Sequence, residues 1–498
     1  MQKLLIANRG EIAVRIIRAA KELGVRTAAI YSDADEGSLH SKLADEAFRI
    51  GGSEPTASYL CGDEIIRIAS DIGADAIHPG YGFLSESAEF AEQVARAGLI
   101  WVGPPAAAMR KLGAKIEAKK LAVSAGVPVA PGYFERRASP ERLLAEAKKL
   151  GFPIMLKASG GGGGRGMRIV KNPSDFPSQL KIASEEASSA FGDGQMMVEK
   201  LIERPRHVEV QILADAAGTV AALFERECSL QRRHQKLIEE APAPSHSSFW
   251  PRMRDAAIAL AKAAGYVNAG TVEFMVDEES GKFYFLEVNA RLQVEHPVTE
   301  AVTGLDLVQW QLRVASGERL DLPSALLEGD RSAIRGHAIE ARIVAEDPAK
   351  DFLPGAGRIV GWAEPKLPGI RVDTGFGPGS EVSRHYDSLL AKVIAHAETR
   401  EDAIARLEAA LLDFHILGVP TNIAFTLDVL RHPEFRAGRF DTGFLEREFG
   451  RWKLSAEIPR ELGAILNEAG ANSALTRLDV GSERAAWNLN DGFRNARP

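Results

Sequence analysis

The chain has 498 residues, 45% of them hydrophobic, with a formal net charge of -7 at pH 7 and a pI near 6.0. That length and composition suit about three globular domains, and the acidic balance argues against a polyanion-binding protein, so no nucleic-acid partner is expected. Two cysteines, Cys61 and Cys228, stand far apart and give neither a disulfide framework nor a metal-ligand spacing, which points to a reducing cytoplasm. No apolar run is long enough to span a bilayer, so no membrane role is expected.

Residues 3 to about 105 alternate strand-like and helix-like segments: KLLIAN, EIAVRIIRAAKELG, RTAAIYS, DAIHPG, SAEFAEQVARAG and LIWVG. The pattern predicts a parallel α/β domain. The first strand-to-helix turn, Asn8-Arg9-Gly10-Glu11, lacks the G-x-G-x-x-G fingerprint, so no dinucleotide cofactor is expected. His78-Pro79-Gly80-Tyr81-Gly82 falls where a strand gives way to a helix, the position at which open α/β sheets bind ligands; a plain Pro/Gly turn is the alternative.

A Pro-rich break, VPVAPGY, and a helical pattern, SPERLLAEAKKLG, lead to FPIMLKASGGGGGRGMRIV. Alternation puts Lys157 on the strand face opposite Ile154 and Leu156. Five consecutive glycines, Gly160 to Gly164, remove every side chain from the turn, so backbone N–H groups can close around an anion. No G-K-[ST] ending follows and GMRIV reads as a strand, so the glycines form a flap between two strands and not a Walker loop. After a helix at about residues 174 to 190, the runs MMVEKLI, HVEVQILAD and AALFERECSLQRRHQKLIEEAPAP alternate as a sheet with one buried face, with His207 and Glu209 on a shared face. The charged run Gln231 to Lys236 reads equally as a solvated loop, and His207 and His234 taken singly stay undecided.

Residues 270 to 299 carry the densest chemistry. TVEFMVDE and KFYFLEVN flank Glu279-Ser280-Gly281, a three-residue hairpin loop with Gly281 left-handed, and that register pairs Glu278 with Lys282. Counting back sets Glu273 opposite Glu287, with Asn289 two residues further along the same face. Facing carboxylates repel unless a cation lies between them, and an all-oxygen donor set suits Mg²⁺ or Mn²⁺ in preference to zinc. An exposed acidic hairpin is the competing reading. Arg291 and Glu295 follow at once, an anion holder and a potential base, and such charge beside a strand end is costly without a task.

The set IANRGEIAVRI, HPGYGFLSE, KASGGGGGRGMR, QRRHQK, EEAPAP, FLEVNARLQVEHPVTE and GHAIEARIVAEDP resembles the biotin carboxylase component of biotin-dependent acyl-CoA carboxylases, in order, from residue 1 to about 447. The resemblance implies an ATP-grasp fold of class α/β and α+β. It divides into an N-terminal parallel α/β domain (1–113), an ATP-grasp domain (114–330, flap subdomain about 131–204), a C-terminal biotin carboxylase domain (331–447) and a tail or linker (448–498). It further implies that ATP phosphorylates bicarbonate to carboxyphosphate, whose carboxyl group passes to biotin. Lys115 and Lys157 match phosphate-binding lysines, and Gly163 and Gly164 match flap positions. Glu199, Lys200, Leu201 and Ile202 match the adenine hinge, and His207, Gln231 and His234 match nucleotide contacts. Glu273, Glu287 and Asn289 match the site of Mg²⁺ or Mn²⁺, two ions, on the ATP phosphates. Lys236, Arg291 and the backbone of Val294 match the bicarbonate site, and Glu295 matches the base. Arg342 matches the residue that steadies enolised biotin, with Tyr81 and Gly82 near it. A pairing of Arg291 with Glu295 is expected, lowering the carboxylate's pKa so that the base works through position.

The remainder reads as strands (GHAIEARIVAE, GRIVGWAE, IRVDTGF) and helices (EDAIARLEAALLDF, TNIAFTLDVLRH); Arg384, Tyr386 and Asp387 read as interface or structural residues. The close of the tail, AWNLNDGFR, is similar to the segment after the carboxylase domain in longer α subunits that carry their own biotin, yet no Met-Lys biotinylation motif occurs. Biotin is therefore expected to arrive on another chain or on a part not present here, which leaves a complete and a truncated subunit both open, with a carrier protein or domain, a carboxyltransferase partner and a homodimer as the family's assembly. Two other classes compete: a different ATP-grasp ligase, which would not be expected to combine QRRHQK, the Gln293 to His296 run and Arg342, and a non-catalytic nucleotide-binding subunit, which predicts damage at Lys236, Arg291 or Glu295.

Overall fold

The computed structural model describes residues 1–160, 166–233, 235–244 and 248–453. Gly163, Gly164, His234 and the tail beyond residue 453 lie outside them.

At the N-terminus five short strands form a parallel sheet in the order Glu46–Gly51, Arg26–Ser32, Lys3–Ile6, Ala76–His78, Ile100–Trp101. Strand order reverses between Lys3–Ile6 and Ala76–His78, so the loops after these two strands meet at the crevice of the sheet. The Asn8 amide clasps them, donating to Pro79 O at 2.6 Å and Tyr81 O at 2.8 Å. Gly80, with φ +64°, is required there because a Cβ would lie 2.8 Å from that amide nitrogen.

Residues 132 to 200 build a four-stranded antiparallel sheet in the order Gly132–Tyr133, Met196–Lys200, Ile154–Ala158, Arg168–Val170. Ile154 and Leu156 face a small core with Leu143, Phe176 and Val198, supplied by helices Pro140–Leu150 and Phe176–Phe191, and Lys157 points to the other face. Alternation thus reads correctly on both sides of the glycine turn.

The largest sheet is antiparallel, eight strands in the order Lys282–Asn289, Asn268–Asp277, Arg206–Ala214, Val220–Arg232, Gln235–Ala241, His337–Val344, Leu389–Ala397, Ile370–Thr374. It runs without interruption through the pairing of Gln235–Ala241 with His337–Val344, so one sheet serves both the central and the C-terminal regions. Helix Trp250–Ala264 opens with Pro251 in its first turn and stops at left-handed Gly265, and lays Met253, Ala257 and Leu260 on the core containing Val208, Val210 and Ile212. Burying each of those strand side chains contributes roughly 2 kcal/mol.

Every residue of Arg206–Ala214 is buried, which corrects the expectation of a sheet with one buried face. The alternate face carries His207, Glu209 and Gln211, and the segment after Asn289 reaches over it through Gln293, so its polarity marks a buried charge network and not solvent. Among the described residues no helix is long and apolar enough to cross a membrane.

Candidate active site

The hairpin of Asn268–Asp277 and Lys282–Asn289 sets Glu273 opposite Glu287 and Thr271 opposite Asn289. The turn differs from expectation: Asp277, not Glu278, pairs with Lys282, so the loop is one residue longer. A β-bulge next to the Glu273–Glu287 pair absorbs the difference, leaving Leu286 without an opposite partner. Two offsets cancel, and the carboxylates face each other as read. The Asn289 amide donates to Glu273 Oε1 at 2.7 Å.

Glu273 and Glu287 ionise differently. Burial opposes the charge on Glu273, but Lys236 and His207 overcome it and hold its pKa well below the usual carboxylate range. Burial, then the charge of Glu273, pushes Glu287 upward, and Lys115 Nζ, 4.0 Å from Glu287 Oε2, offsets this only in part. A carboxylate destabilised by its neighbour is what a divalent cation relieves, so Glu273, Glu287 and Asn289 fit a hard-cation site.

Lys236 is the hub. Its Nζ lies 2.6 Å from Glu209 Oε2 and 3.1 Å from Glu273 Oε1, and also donates to Glu295 Oε1. His207 Nε2 stands 3.2 Å from Glu273 Oε2 and 3.5 Å from Glu209 Oε2, and despite burial those carboxylates raise its pKa to about 9. The imidazolium and the ammonium supply the positive charge among Glu209, Glu273 and Glu295.

Glu295 pairs with Lys236 and with Arg342, whose Nη2 lies 3.0 Å from Glu295 Oε2. Arg342 is also held by Glu239, with Nε donating at 2.6 Å. The expected Arg291–Glu295 pairing is not formed: Arg291 donates to Glu86 Oε2 and Asn289 Oδ1, each at 3.1 Å. The carboxylate is lowered all the same, because Lys236, followed by Arg342, outweighs its burial.

Lys115, Lys157, His207, Gln231, Lys236, Glu273, Glu287, Asn289, Arg291, Val294, Glu295 and Arg342 line one cavity of about 1150 Å³. Glu199, Lys200, Leu201, Ile202, Tyr81 and Gly82 are not among its lining residues. Glu199 and Lys200 end a lid strand, Lys200 donating to Gly151 O at 3.0 Å, and the Tyr81 hydroxyl donates to Glu11. Cys228 is fully buried, its thiol pushed up by burial and then by Glu209, as suits a packed side chain and not a nucleophile. In the charged run, Arg232 stacks on Phe352 at 3.7 Å and Arg233 makes an exposed pair with Asp351 at 2.8 Å, and both line the cavity together with Gln231, Gln235 and Lys236.

Sequence reasoning missed four supporting residues. Glu86 accepts from Ala290 N and Arg291, tying the N-terminal sheet's loop to the segment after the hairpin. Arg226, fully buried, donates to Glu209, Gln211, Thr271, Gln293 and Thr299, and Gln293 in turn donates to Glu273 at 2.8 Å. Lys392, also fully buried, donates to Val294 O at 2.9 Å. Lys119 lies 2.6 Å from Glu199 Oε1. Lys392 is a cation set inside the apolar run LLAKVIA, a signal because such a residue is buried only with a partner, whereas Glu86 is exposed and Lys119 and Arg226 have charged sequence neighbours.

Comparison with known proteins accords with this geometry. Residues 1–109 match the family described as biotin carboxylase, N-terminal domain; residues 114–323 match carbamoyl-phosphate synthase L chain, ATP binding domain; residues 340–447 match biotin carboxylase C-terminal domain. The chain is 50% identical to the mitochondrial methylcrotonoyl-CoA carboxylase subunit alpha of Arabidopsis thaliana over 491 residues, 98% of this chain and 66% of that protein, so it spans about two thirds of that relative's length. It is 48% identical to biotin carboxylase 1 of Bacillus subtilis, covering 90% of this chain and 98% of that one. Among solved structures, the biotin carboxylase–β-γ-ATP complex of Campylobacter jejuni superposes with a TM-score of 0.86 at 43% identity, covering 90% of this chain and 99% of that one. The biotin carboxylase domain dimer of Hydrogenobacter thermophilus 2-oxoglutarate carboxylase, in complex with MgADP, ADP and bicarbonate, gives 0.87 at 43% identity, covering 92% and 99%. With the hairpin carboxylates, Lys157 and the Lys236 hub in one cavity, and with these matches along its length, the chain belongs to the biotin carboxylase family.

Proposed function

We propose that the chain carries out the first half-reaction of a biotin-dependent carboxylase: ATP- and bicarbonate-dependent carboxylation of biotin on a carrier protein or domain, releasing ADP and phosphate. The observation that carries this is the convergence of Lys236 and Arg342 on Glu295 in the cavity that Arg291, Lys115 and Lys157 also line. Three cations and one base in a single cavity suit a small anion that must be held and deprotonated, and two further lysines suit a polyphosphate.

In this reading Lys115, Lys157, His207, Gln231 and His234 bind the nucleotide, with the glycine turn including Gly163 and Gly164 over its phosphates and the strand end from Glu199 to Ile202 beside its base. Glu273, Glu287 and Asn289 would hold Mg²⁺ or Mn²⁺, one ion or two, which neutralises charge on the transferring phosphoryl group. Lys236, Arg291 and Val294 hold bicarbonate. Glu295, ionised because Lys236 outweighs its burial, takes the bicarbonate proton. A bicarbonate oxygen then bonds to the γ-phosphorus as the bond to ADP breaks. The carboxyl group of the resulting carboxyphosphate passes to the ureido nitrogen of biotin as its bond to the phosphate oxygen breaks, and the departing phosphate takes the ureido N–H proton. Arg342 faces the negative charge that develops on the ureido oxygen, with Tyr81 and Gly82 near the ring.

The carrier and a carboxyltransferase are partners on other chains or on a part of the protein beyond this sequence, and the family's homodimer is the proposed assembly. The compartment is a reducing cytoplasm, supported by two free cysteines, Cys61 and buried Cys228. The test is ATP cleavage with and without bicarbonate and free biotin. Strong stimulation by both is expected. Stimulation by an amine or amino acid instead, or tight ATP binding without turnover, would overturn the reading.

A further inference from the structure

Lys119 belongs to none of the roles above. It sits on helix Lys115–Ser124, one turn beyond Lys115, where i,i+4 spacing puts both side chains on one face. Its side chain is 1% exposed, and its Nζ lies 2.6 Å from Glu199 Oε1. The other oxygen of Glu199 lies 2.7 Å from Lys157 Nζ. Lys157 and Glu199 meet because Met155 pairs with Glu199 and Lys157 with Met197, which makes them diagonal neighbours on one face of the lid sheet.

The carboxylate is also confined. Gly132 crosses it so closely that a Cβ there would stand 2.7 Å from Val198 O and 3.1 Å from Glu199 Cγ. Burial opposes the charge on Glu199, yet Lys157 and Lys119 hold its pKa down to about 2, so it is ionised at neutral pH. Two buried ammonium groups therefore share one buried carboxylate, leaving an excess positive charge. Lys119 and Lys157 line the cavity and Glu199 does not. An uncompensated buried cation calls for an anion.

We propose that Lys119 is a positioning residue for nucleotide binding: by keeping Glu199 neutralised it lets Lys157 leave that carboxylate for the phosphates of ATP. This rests on the ATP-binding reading above. Without Lys119, Glu199 has Lys157 alone, and moving Lys157 onto a phosphate would strand a buried carboxylate. Removing one partner of a buried pair is costly whereas removing both charges is much less so, which predicts a suppressor relation between Lys119 and Glu199.

The experiment is equilibrium titration of the full chain with MgATP, together with steady-state ATP cleavage, for K119M, K119R and the double variant K119M/E199Q. K119M is expected to weaken MgATP at least about tenfold, raising KM for ATP while leaving KM for bicarbonate unchanged. K119R is expected to restore affinity, because a guanidinium still meets Glu199. The double variant is expected to bind several-fold more tightly than K119M alone, since a neutral amide needs no cation. A double variant no better than K119M, or a K119M chain that binds like wild type, overturns the proposal. Should K119M not fold, K119Q, which still donates to Glu199 without a charge, carries the same two comparisons at smaller size. A wild-type chain that binds no MgATP would instead overturn the functional reading, so the two failures are distinguishable.

Discussion

Lys236 holds three buried carboxylates together, yet the proposed chemistry needs it to face a fourth anion. The two tasks are compatible because Arg226 also grips Glu209, at 2.7 Å, and Arg342 also grips Glu295, at 3.0 Å, so an incoming bicarbonate draws on a cation whose partners are shared. Lys236→Ala is therefore expected to cut bicarbonate-dependent ATP cleavage by about a hundredfold or more while leaving the dissociation constant for ATP within about threefold. Steady-state rates set beside equilibrium nucleotide titration decide it, and equal loss of both would remove Lys236 from the anion site. The same substitution leaves buried charge partly uncompensated and should cost about 2–4 kcal/mol of stability, toward the low end of what breaking an unsupported buried pair costs. Glu287 differs, because its side chain is 33% exposed and its charge is already strained by Glu273. Glu287→Gln is expected to leave folding intact and to raise the Mg²⁺ concentration for half-maximal activity by about tenfold or more. An unchanged Mg²⁺ titration would show that Glu287 is no ligand.

The hairpin places these proposed ligands through a parity change. On its second strand the buried apolar positions are Phe283, Phe285 and Val288, spaced by two and then by three. Strict alternation from Phe285 would send Glu287 into the core; the bulge at Leu286 turns Glu287 and Asn289 onto the face of Glu273. A glycine inserted after Leu286 should flip both ligands and reduce Mg²⁺-dependent ATP cleavage by more than about a hundredfold, whereas one inserted after Ser280, in the exposed turn, should change it by less than about threefold. Equal effects from the two insertions would rule out the bulge as the element that sets the site. The broken spacing was visible in KFYFLEVN, but a loop one residue too short concealed it by reaching the same pairing. The lid strands and N-terminal parallel units were legible because hydrophobic period and turn residues agree there. The support residues were not: Arg226 in FERECSL and Lys392 in LLAKVIA look like polar interruptions of a strand, and only the fold reveals that the face they occupy is covered. The mistaken Arg291–Glu295 pair has the same origin, since proximity in sequence put together two side chains that turn to Glu86 and to Arg342.

At the scale of the whole molecule the C-terminal region is part of the site and not an appendage. Its strand His337–Val344 brings Arg342 to Glu295, and Leu389–Ala397 brings Lys392 to Val294 O. What fixes this half of the sheet to its helices is in part a buried ion cluster. Glu240, on Gln235–Ala241, accepts from Arg400 at 2.7 and 2.9 Å and faces His337 Nε2 at 2.7 Å, which ties the central strand, the first C-terminal strand and helix Arg400–Asp413 together. Burial opposes the charge on Glu240, but Arg400 and then His337 hold its pKa down to about 2. A carboxylate lowered in the folded chain stabilises it fully above its unfolded value of roughly 4.5 and loses that contribution as pH falls through about 2. At about 1.4 kcal/mol per pH unit the contribution at neutral pH is about 3 kcal/mol, and by pH 3 more than half is gone. Glu240→Gln is therefore expected to lower the thermal unfolding midpoint markedly at pH 7 and by less than half as much at pH 3, each compared with wild type at the same pH. If the difference between the two chains stayed constant across that range, the cluster would contribute packing and not charge. The active-site half of the sheet would then owe its alignment to the apolar core beneath it alone.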